Sequence, residues 1–390
     1  MRVLSVNAGS SSIKLSVLDH DDTLLAERDL AAPDGAVPDL AANLSALPDV
    51  DAIGHRIVHG GATFIGPTLI DRAVIEKLRD LADRAPLHQN RAIACIEATA
   101  TVRPDLPAVA CFDTALFARP EGLPESAWRY AVPEAWLVDF GIRRYGAHGL
   151  AHSYARRRAA ELVDARDGGG LRMVTCHLGS GASLTAWVDG RPVDTTMGFT
   201  PLEGLVMGTR SGTVDPGLPL WLVLYGGQAA ASVQRQLEHE SGLLGLAGSA
   251  DMAVVTAAAA GGDARAGMAL AVYDHRLRGE LGKMVAAAGG LDVLVFSGGI
   301  GEHADQVRAR ACAGLDWLGV RLDPRANGAA AATSAQGPDA EVSLPQSSVR
   351  VLVVHAREDL AIAAQVRATL GTEDGQHAEE SQPRRGPSQS

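Results

Sequence analysis

Lysine is nearly absent from this chain of 390 residues, because the 35 basic residues include only Lys14, Lys77 and Lys283. Positive charge as a whole is in deficit, since 46 acidic residues give a net charge of −11. A protein with this balance repels polyanions, which excludes general binding to nucleic acid or to an anionic membrane surface. A lysine in a suggestive position therefore merits attention.

Long apolar segments and paired cysteines are also missing. No run approaches the ~20 apolar residues that a transmembrane helix needs, and the N-terminus lacks the layout of a secretory signal. The four cysteines stand apart without CxxC spacing, which favours buried free thiols and a cytoplasmic location. The patterns GxxxxGKS/T and GxGxxG do not occur, so P-loop and Rossmann folds lose their main support.

Short β-branched segments alternate with longer helix-forming segments, which predicts an α/β fold. The predicted strands are residues 2–6, 13–18, 52–58, 108–112, 171–177, 183–188, 293–297 and 349–355. The predicted helices are residues 72–84, 89–101, 152–164, 264–287, 304–313 and 359–370. Residues 31–51 and 327–348 are expected to be loops or insertions. Residues 371–390 are expected to be disordered, because they contain no Val, Ile, Leu or Met.

The most informative pattern is an internal repeat. Residues 3–19 (VLSVNAGSSSIKLSVLD) align with residues 173–189 (MVTCHLGSGASLTAWVD), so that Gly9 falls on Gly179. Each copy predicts two strands joined by a turn of small residues, whose uncovered backbone N–H groups can bind an anion. Two ordinary β-hairpins would give the same pattern, but each copy opens one half of the chain. Such a duplication is the plan of the actin-like ATPase and kinase superfold, in which the hairpins hold nucleotide phosphates in a cleft between domains.

Three basic side chains occupy suggestive positions. Lys14 follows the first small-residue turn, from which it could reach a bound phosphate, although it could also be a solvent-facing strand residue. Arg56 ends a strand in GHRIVHGG, and Arg210 lies in the loop GLVMGTRSG. Two separated arginines suit an anionic substrate, since a guanidinium binds carboxylate or phosphate through two hydrogen bonds.

Histidines and carboxylates also follow predicted strands or precede helices. His148 and His152 are spaced i, i+4, but no HExxH and no third ligand indicate a metal. His148 is either a loop residue or a donor to developing negative charge, and His152 is predicted to be structural. Asp113 and Glu358 are typical partners of Mg²⁺, although helix N-terminal charge alone would explain Glu358. The turn GGIGE at residues 298–302 suits close approach by a nucleotide.

Ordered motifs along the chain resemble those of the acetate kinase family. In chain order they are VNAGSSSIK, GHRIVHGG, APLH, FDTALF, RRYGAHG, HLGSGAS, DTTMGFTPLEGLVMGTRSGTVDPG, GGIGE and REDLAIA. The resemblance implies the actin-like, ribonuclease H-like duplicated α/β fold, with two domains and an interdomain nucleotide cleft. It also implies reversible transfer of a phosphoryl group from ATP to a short carboxylate, giving an acyl phosphate and ADP, with Mg²⁺ or Mn²⁺ and as a homodimer.

The resemblance assigns a role to each matching position. The implied metal ligands are Asn7 and Glu358. The implied catalytic residues are Arg56, Asp113, His148 and Arg210. The implied substrate pocket is formed by Arg56, Val58, Leu87 and Pro201. The implied nucleotide contacts are Asn7, Ser10, Ser12, Lys14, His177, Leu178, Gly179, Ser180, Gly181, Asp251, Met252, Ala253, Gly299, Ile300, Gly301, Glu302 and His303.

Several positions depart from the family pattern. The family commonly has Arg at Ala253, Asn at Ser180 and at His303, and His at Phe117. Ala253 removes a planar cation expected near the adenine, which bears on the choice of nucleotide. The family also has Asn-Pro where this chain has Gln-Asn at residues 89–90, which bears on the preferred acyl chain.

These observations lead us to expect an acetate kinase. A carboxylate is already ionised at neutral pH, so its kinase needs positioning and positive charge rather than a strong general base. A propionate kinase is the nearest alternative, because one methylene is worth only ~1–3 kcal/mol of discrimination. Ala253 and Ser180 also suggest a turnover-deficient nucleotide-binding regulatory protein. A sugar or glycerol kinase would use Asp113 as a base.

The motifs also predict a domain division. The first domain is expected at residues 1–117, with residues 360–370 returning to it. The second, at residues 118–359, is expected to carry most nucleotide contacts and the dimer surface. Residues 371–390 form the expected tail.

Overall fold

The chain divides into two compact units, Met1–Ala115 with Glu358–Ser390, and Leu116–Arg357. The structure is a computed structural model that describes residues 1–9, 12–32, 40–164, 170–332 and 337–380. Each unit is built on a six-stranded sheet against which helices pack. The expected α/β class is confirmed.

The first sheet has the strand order β3-β2-β1-β4-β6-β5. Its strands are β1 (Val3–Ala8), β2 (Ser12–Leu18), β3 (Leu24–Ala31), β4 (Ala52–Ile57), β5 (Thr68–Leu69) and β6 (Ala108–Phe112). The first three strands pair antiparallel, β1, β4 and β6 pair parallel, and β5 closes the edge antiparallel to β6.

The second sheet repeats this plan strand for strand, with the order β9-β8-β7-β10-β12-β11. Its strands are β7 (Arg172–Leu178), β8 (Ala182–Val188), β9 (Arg191–Thr195), β10 (Val293–Ser297), β11 (Ala340–Glu341) and β12 (Arg350–Val353). Parallel and antiparallel pairs fall at the same places as in the first sheet. The repeat seen in the sequence is therefore a duplicated sheet.

The two hairpins that open the units differ in one respect. In the first, Ala8 pairs with Ile13, and in the second, Leu178 pairs with Ala182. The turn of the second hairpin is thus one residue shorter, although the first strands of the two hairpins align without a gap.

Helices connect the strands and cover the sheets. In chain order they are α1 (Leu40–Ser45), α2 (Arg72–Asp80), α3 (Pro86–Val102), α4 (Ala115–Ala118), α5 (Glu125–Trp128), α6 (Glu134–Phe140), α7 (Gly149–Leu162), α8 (Gly217–Leu224), α9 (Ala230–His239), α10 (Gly242–Ala247), α11 (Met252–Ala260), α12 (Ala264–Ala288), α13 (Gly298–His303), α14 (Asp305–Cys312), α15 (Pro324–Ala331) and α16 (Glu358–Glu380). Short 3₁₀ helices lie at Ala82–Arg84 and Asp316–Leu318.

The structure differs from the sequence-based expectation in the segments expected to be irregular. The segment 31–51 contains α1, and the segment 327–348 contains most of α15 and the edge strand β11. Strands β3 and β9 also escaped prediction, because edge strands with few fully buried residues lack a strong apolar pattern.

The expected tail is helical in its first part. Helix α16 continues to Glu380, and residues 381–390 lie outside the described residues. The helix can run past Leu370 because residues 371–380 contain several good helix formers and no proline, which first appears at Pro383.

Helix α16 packs closely on the first sheet. A Cβ atom at Gly54, on β4, would lie 2.3 Å from Cγ2 of Ile362 and 2.7 Å from Cγ2 of Val366. Glycine is therefore required at this contact. The corresponding face of the second sheet is covered by α7, whose Ala155 and Ala159 pack with Val293.

One stretch of the described residues, Gly242–Ala260, has the length and hydropathy of a membrane span. The chain does not form one continuous helix there. Helix α10 ends at Gly248 in the left-handed conformation, and the side chain of Asp251 caps the separate helix α11. Each of the two helices is far shorter than the ~20 residues needed to cross a bilayer.

Candidate active site

Arg56 is the centre of a polar cluster in the first unit. It lies near the end of β4, and its Nε and Nη2 donate to Oδ2 of Asp113 at 3.1 and 2.7 Å. Its Nη1 donates to Oδ1 of Asn7 at 3.0 Å, and Nε lies 3.8 Å from Oε2 of Glu358. Three residues distant in sequence, at the ends of β1 and β6 and the start of α16, thus converge on one guanidinium.

Burial makes this cluster electrostatically strong. The Arg56 side chain is 11% exposed and that of Asp113 is 0% exposed. Burial by itself opposes the guanidinium charge, but the carboxylates of Asp113 and Glu358 outweigh it and raise the pKa of Arg56. Arg56 is therefore a fixed cation, and Oδ2 of Asp113 is occupied by its guanidinium.

Asn7 and Glu358 place oxygen ligands beside this cation. Nδ2 of Asn7 donates to Oε2 of Glu358. Because hard divalent cations prefer amide and carboxylate oxygens, these two residues could hold a metal ion beside Arg56.

A buried arginine on α3 supports the turn of the first hairpin. Arg91 on α3 is buried, and its Nη1 donates to the carbonyl of Gly9 at 2.5 Å while Nη2 donates to that of Ala32 at 2.8 Å. The backbone of Gly9 also donates to the carbonyl of Ser12 at 2.9 Å. Ser10 lies outside the described residues. Arg91 directly follows residues 89–90, which are Gln-Asn in this chain and Asn-Pro in the family pattern.

Lys14 forms an ion pair on the surface of the first sheet. Its Nζ lies 2.9 Å from Oε1 of Glu27 on β3, and its side chain is 45% exposed. Burial favours the neutral amine, but Glu27 outweighs this effect and raises the pKa of Lys14. Lys14 is thus a cation near the turn, held by a carboxylate from the neighbouring strand.

The residues expected to form the acyl pocket are divided between the units. Val58 is buried directly after β4, Leu87 lies in α3, and Pro201 is half-buried in a loop of the second unit. Gln89, fully buried, donates from Nε2 to the carbonyl of His59 at 3.1 Å. Gln89, which differs from the family pattern, therefore supports the backbone of His59, the residue next to Val58.

A second polar cluster, in the second unit, is built from histidine and serine side chains. His148 lies in the left-handed conformation at the N-cap position of α7, with φ of 57°, and its Nδ1 lies 2.9 Å from Oγ of Ser183. Nε2 of His152 lies 2.7 Å from the same oxygen. Burial, followed by the charge of His177, lowers the pKa of His152 well below its usual value, so His152 is neutral. The predicted structural role of His152 agrees with its complete burial.

His148 and Arg210 meet over the second hairpin turn. A Cβ atom at Gly181 would lie 3.3 Å from Nε2 of His148 and 3.5 Å from Nη1 of Arg210. That Nη1 also donates to the carbonyl of Pro201 at 3.2 Å. The absence of a side chain at Gly181 leaves a space bounded by two hydrogen-bond donors of the kind that bind phosphate.

Backbone contacts join the segments expected to bind nucleotide. The amide of Gly208 donates to the carbonyl of Ser180 at 3.3 Å. A Cβ atom at Gly298, with φ of 77°, would lie 2.7 Å from the carbonyl oxygen of Leu178. A Cβ atom at Gly208 would lie 3.1 Å from the carbonyl of Ala250. The turn 179–181, the start of α13 and the start of α11 are therefore neighbours within the second unit.

The side chains in these segments divide into exposed and structural ones. Exposed positions are Ser180, Asp251, Ala253, Gly299 and His303. Partly exposed positions are His177, Gly179 and Ile300, and buried ones are Leu178, Met252, Gly301 and Glu302. The side chain of Asp251 accepts from the amide of Ala253 at 2.8 Å, so it caps α11.

Glu302 supports the backbone of the GGIGE turn. Its Oε1 accepts from the amides of Gly298 and Ala356, both at 2.9 Å, and its Oε2 lies 2.7 Å from Nδ1 of His355. The contribution of Glu302 to a nucleotide site is therefore through the shape of the turn, since its carboxylate points into the protein.

Sequence reasoning missed Arg144, which organises the loop that carries Pro201. The buried Arg144 donates to the carbonyls of Thr195, Thr196 and Met197 at 3.1 to 3.2 Å. It also donates to Oε1 of Glu203 at 2.7 Å. The motif RRYGAHG contained this residue, but only the structure assigns it the role of holding that loop.

The comparisons with known proteins agree with this architecture. Residues 36–364 match the Acetokinase family. The chain is 39% identical to an acetate kinase of Geobacillus kaustophilus over 94% of the chain and 98% of that protein. It is 41% identical to an acetate kinase of Deinococcus deserti over 97% of the chain and 100% of that protein.

Solved structures with the same architecture come from two kinds of acyl kinase. Acetate kinase from Porphyromonas gingivalis has a TM-score of 0.82 and 34% identity, over 95% of this chain and 99% of that one. Propionate kinase from Francisella tularensis has a TM-score of 0.82 and 32% identity, over 93% of this chain and 98% of that one.

Fold and relatives together define a phosphotransferase of the actin-like class with two domains. Within that class the chain belongs to the Acetokinase family, whose phosphoryl acceptor is a carboxyl group. The family resemblance read from the sequence motifs is confirmed.

Proposed function

We propose that the protein is an acetate kinase that transfers the γ-phosphoryl group of ATP directly to acetate. A carboxylate oxygen attacks the γ-phosphorus while the bond to the β,γ-bridging oxygen breaks, which yields acetyl phosphate and ADP. The acceptor carries no proton that must be removed. The reaction therefore depends on position and positive charge.

The observation that carries this proposal is the state of Asp113. A kinase that acts on a hydroxyl group needs a carboxylate base at the acceptor. Asp113 is the candidate base, but its side chain is fully buried and its Oδ2 accepts both Nε and Nη2 of Arg56. A carboxylate in this position orients a cation, which argues against the sugar or glycerol kinase alternative.

The cationic residues then have distinct roles. Arg56, oriented by Asp113 and Asn7, would hold the acceptor carboxylate, and Arg210 would hold the transferring phosphoryl group. His148, whose Nε2 lies beside the second hairpin turn, would donate a hydrogen bond to the equatorial oxygens. Preorganised donors of this kind stabilise the charge that develops in the transition state.

Asn7 and Glu358 would hold Mg²⁺, or Mn²⁺ in its place. The fit is supported by the chemistry of the donor set, because Asn7 offers an amide oxygen and Glu358 a carboxylate beside Arg56. When bound, the ion would supply charge neutralisation at the phosphates of ATP.

Trapping of acyl phosphate with hydroxylamine tests the proposal. The full chain is incubated with Mg²⁺ and either ATP or GTP, together with acetate, propionate or butyrate. We expect product with ATP and the highest kcat/KM with acetate. A higher kcat/KM with propionate would favour the second candidate, which the similarity to a propionate kinase structure supports. No product from any acid would leave the regulatory alternative, and ATP turnover that requires a polyol would indicate a hydroxyl kinase.

We also propose that the second unit carries a homodimer surface. Helix α8 and the residue after it expose several large apolar side chains, with Leu220 61%, Trp221 57%, Leu224 67% and Tyr225 76% exposed. An exposed apolar patch of this kind marks an interface, and a second copy of the chain is the occupant that we propose.

Light scattering coupled to gel filtration tests the dimer. Trp221→Asp is expected to convert a dimer to a monomer. Trp317→Asp is the matched control, because Trp317 is 76% exposed but lies on the separate 3₁₀ helix Asp316–Leu318. A wild-type monomer would refute this proposal.

We further propose a cytoplasmic location, with which four buried free cysteines agree.

A further inference from the structure

Four hydrogen bonds connect His148 to the interior of the second unit. Nε1 of Trp187 donates to Oγ1 of Thr175 at 2.9 Å, and this oxygen lies 2.8 Å from Nδ1 of His152. Nε2 of His152 lies 2.7 Å from Oγ of Ser183, which lies 2.9 Å from Nδ1 of His148. The three middle residues are fully or almost fully buried.

Trp187, at the buried end of this series of hydrogen bonds, determines the direction of each of them. An indole N–H can only donate, so Thr175 must accept from Trp187. The single proton of the Thr175 hydroxyl then has two acceptors in reach. These are Nδ1 of His152 at 2.8 Å and the carbonyl of Thr185 at 3.5 Å. The shorter contact is the stronger hydrogen bond, so the hydroxyl donates to His152.

The remaining directions follow from the proton count of each group. His152 is neutral because burial holds its pKa low, and a neutral imidazole that accepts at Nδ1 carries its proton on Nε2. His152 therefore donates to Ser183. The hydroxyl of Ser183 accepts this hydrogen bond and donates its own proton to Nδ1 of His148. A His148 ring that accepts at Nδ1 carries its proton on Nε2, the nitrogen nearest Gly181.

We propose that Thr175, His152 and Ser183 are positioning residues that hold His148 in the Nε2–H tautomer, so that it presents a hydrogen-bond donor to the transferring phosphoryl group. The role of the donor rests on the function proposed above. The tautomer rests only on the hydrogen bonds within the second unit. The hydrogen-bonded chain also restricts rotation of the ring, because Nδ1 is tied to a buried strand residue.

Nitrogen NMR on the full-length protein with labelled histidine tests the tautomer directly. The His148 signals are identified by their loss in His148→Gln. We expect the wild type to show Nε2 protonated and Nδ1 unprotonated at neutral pH. The opposite tautomer would overturn the proposal, whether or not the protein makes acyl phosphate. Absence of acyl phosphate with the expected tautomer would instead refute the proposed function and leave the tautomer standing.

Kinetics of matched variants test the role of the chain of hydrogen bonds. Ser183→Ala and Thr175→Val each remove two of the four hydrogen bonds, and we expect kcat to fall roughly 10- to 100-fold with the KM for ATP nearly unchanged. Thr175→Ser keeps the hydroxyl and should retain most of kcat. Equal losses for Thr175→Val and Thr175→Ser, or an unchanged kcat in Ser183→Ala, would overturn the positioning role. If a variant fails to fold, the wild-type NMR measurement still decides.

Discussion

The two units share one sheet plan but hold their polar residues by different physical means. In the first unit, Arg56 is fixed by the buried carboxylate of Asp113 and by Asn7 and Glu358. In the second unit, His148 is held by hydroxyl groups and a neutral imidazole. Duplication therefore supplies the scaffold, and the side chains placed on each copy decide whether it fixes a charge or a hydrogen-bond donor.

The covering helices differ between the units in their place along the chain. Helix α7 follows the last strand of the first sheet in sequence but packs on the second sheet, against β7 and β10. Helix α16 follows the last strand of the second sheet but packs on the first, against β1 and β4. Each half of the chain thus supplies one helix to the sheet formed by the other half.

Removal of Arg56 should have the largest effect, because it breaks the charged cluster. Arg56→Ala leaves the fully buried Asp113 carboxylate without its cation, which typically costs about 3–5 kcal/mol. We expect kcat to fall about 10²- to 10³-fold as well. Urea unfolding and the hydroxylamine assay measure the two losses.

A double substitution separates these two effects. In Arg56→Ala with Asp113→Ala, the fully buried carboxylate is removed together with its cation, and Glu358 keeps its hydrogen bond from Asn7, so most of the lost stability should return while activity stays low. If the double variant is as unstable as the single variant, the buried Asp113 charge is not the cause.

Removal of Arg210 should affect activity without a similar loss of stability. Its Nη1 donates to the neutral carbonyl of Pro201 in a partly exposed loop. Arg210→Ala is therefore expected to lower kcat about 10²-fold or more, with the affinity for ATP little changed. Arg210→Lys serves as the control for charge without the guanidinium fork. Equal losses in kcat and ATP affinity would contradict a transition-state role.

The sequence could predict the fold and the charged residues better than their supports. The offset between the two hairpins predicted the duplicated sheet, and the motifs identified Arg56 and Arg210. Motifs in the sequence could not show that Asn7 and Glu358, separated by 351 positions, touch through side chains. Ser183 and Thr175 were missed as supports because small hydroxyl residues on strands form no diagnostic pattern. Their role appears only when neighbouring strands and α7 bring hydrogen-bond partners together.

Both units should lose stability in acid, because each contains a buried histidine with a lowered pKa, His55 in the first and His152 in the second. His55 on β4 is fully buried, and burial lowers its pKa to about 3. Below the ordinary histidine pKa of about 6.5, the unfolded chain binds a proton that the folded chain does not. Each such histidine should therefore lower the free energy of unfolding by about 1.4 kcal/mol per pH unit as pH falls from about 6 to 4.

His55→Gln tests this expectation in the first unit. The variant has no group that titrates at this position, so its stability should depend less steeply on pH, by about 1.4 kcal/mol per unit. Urea unfolding followed by circular dichroism at pH 4.5 and pH 6 measures the slope. His275→Gln is the matched control, because it makes the same substitution at an exposed position on α12. Identical slopes for wild type and His55→Gln would refute the expectation.

Deletion of residues 371–390 should have the smallest effect. Ile362 and Val366, two buried residues of α16, come before this point. Arg367, which donates to Oδ1 of Asp22 at 2.5 Å, also remains. Melting temperature and kcat should stay close to those of the full chain. Ile362→Ala is the contrasting change, because it opens a cavity beneath β4 and should cost about 2–5 kcal/mol. A deletion as destabilising as Ile362→Ala would mean that the first unit depends on the full length of α16, its covering helix.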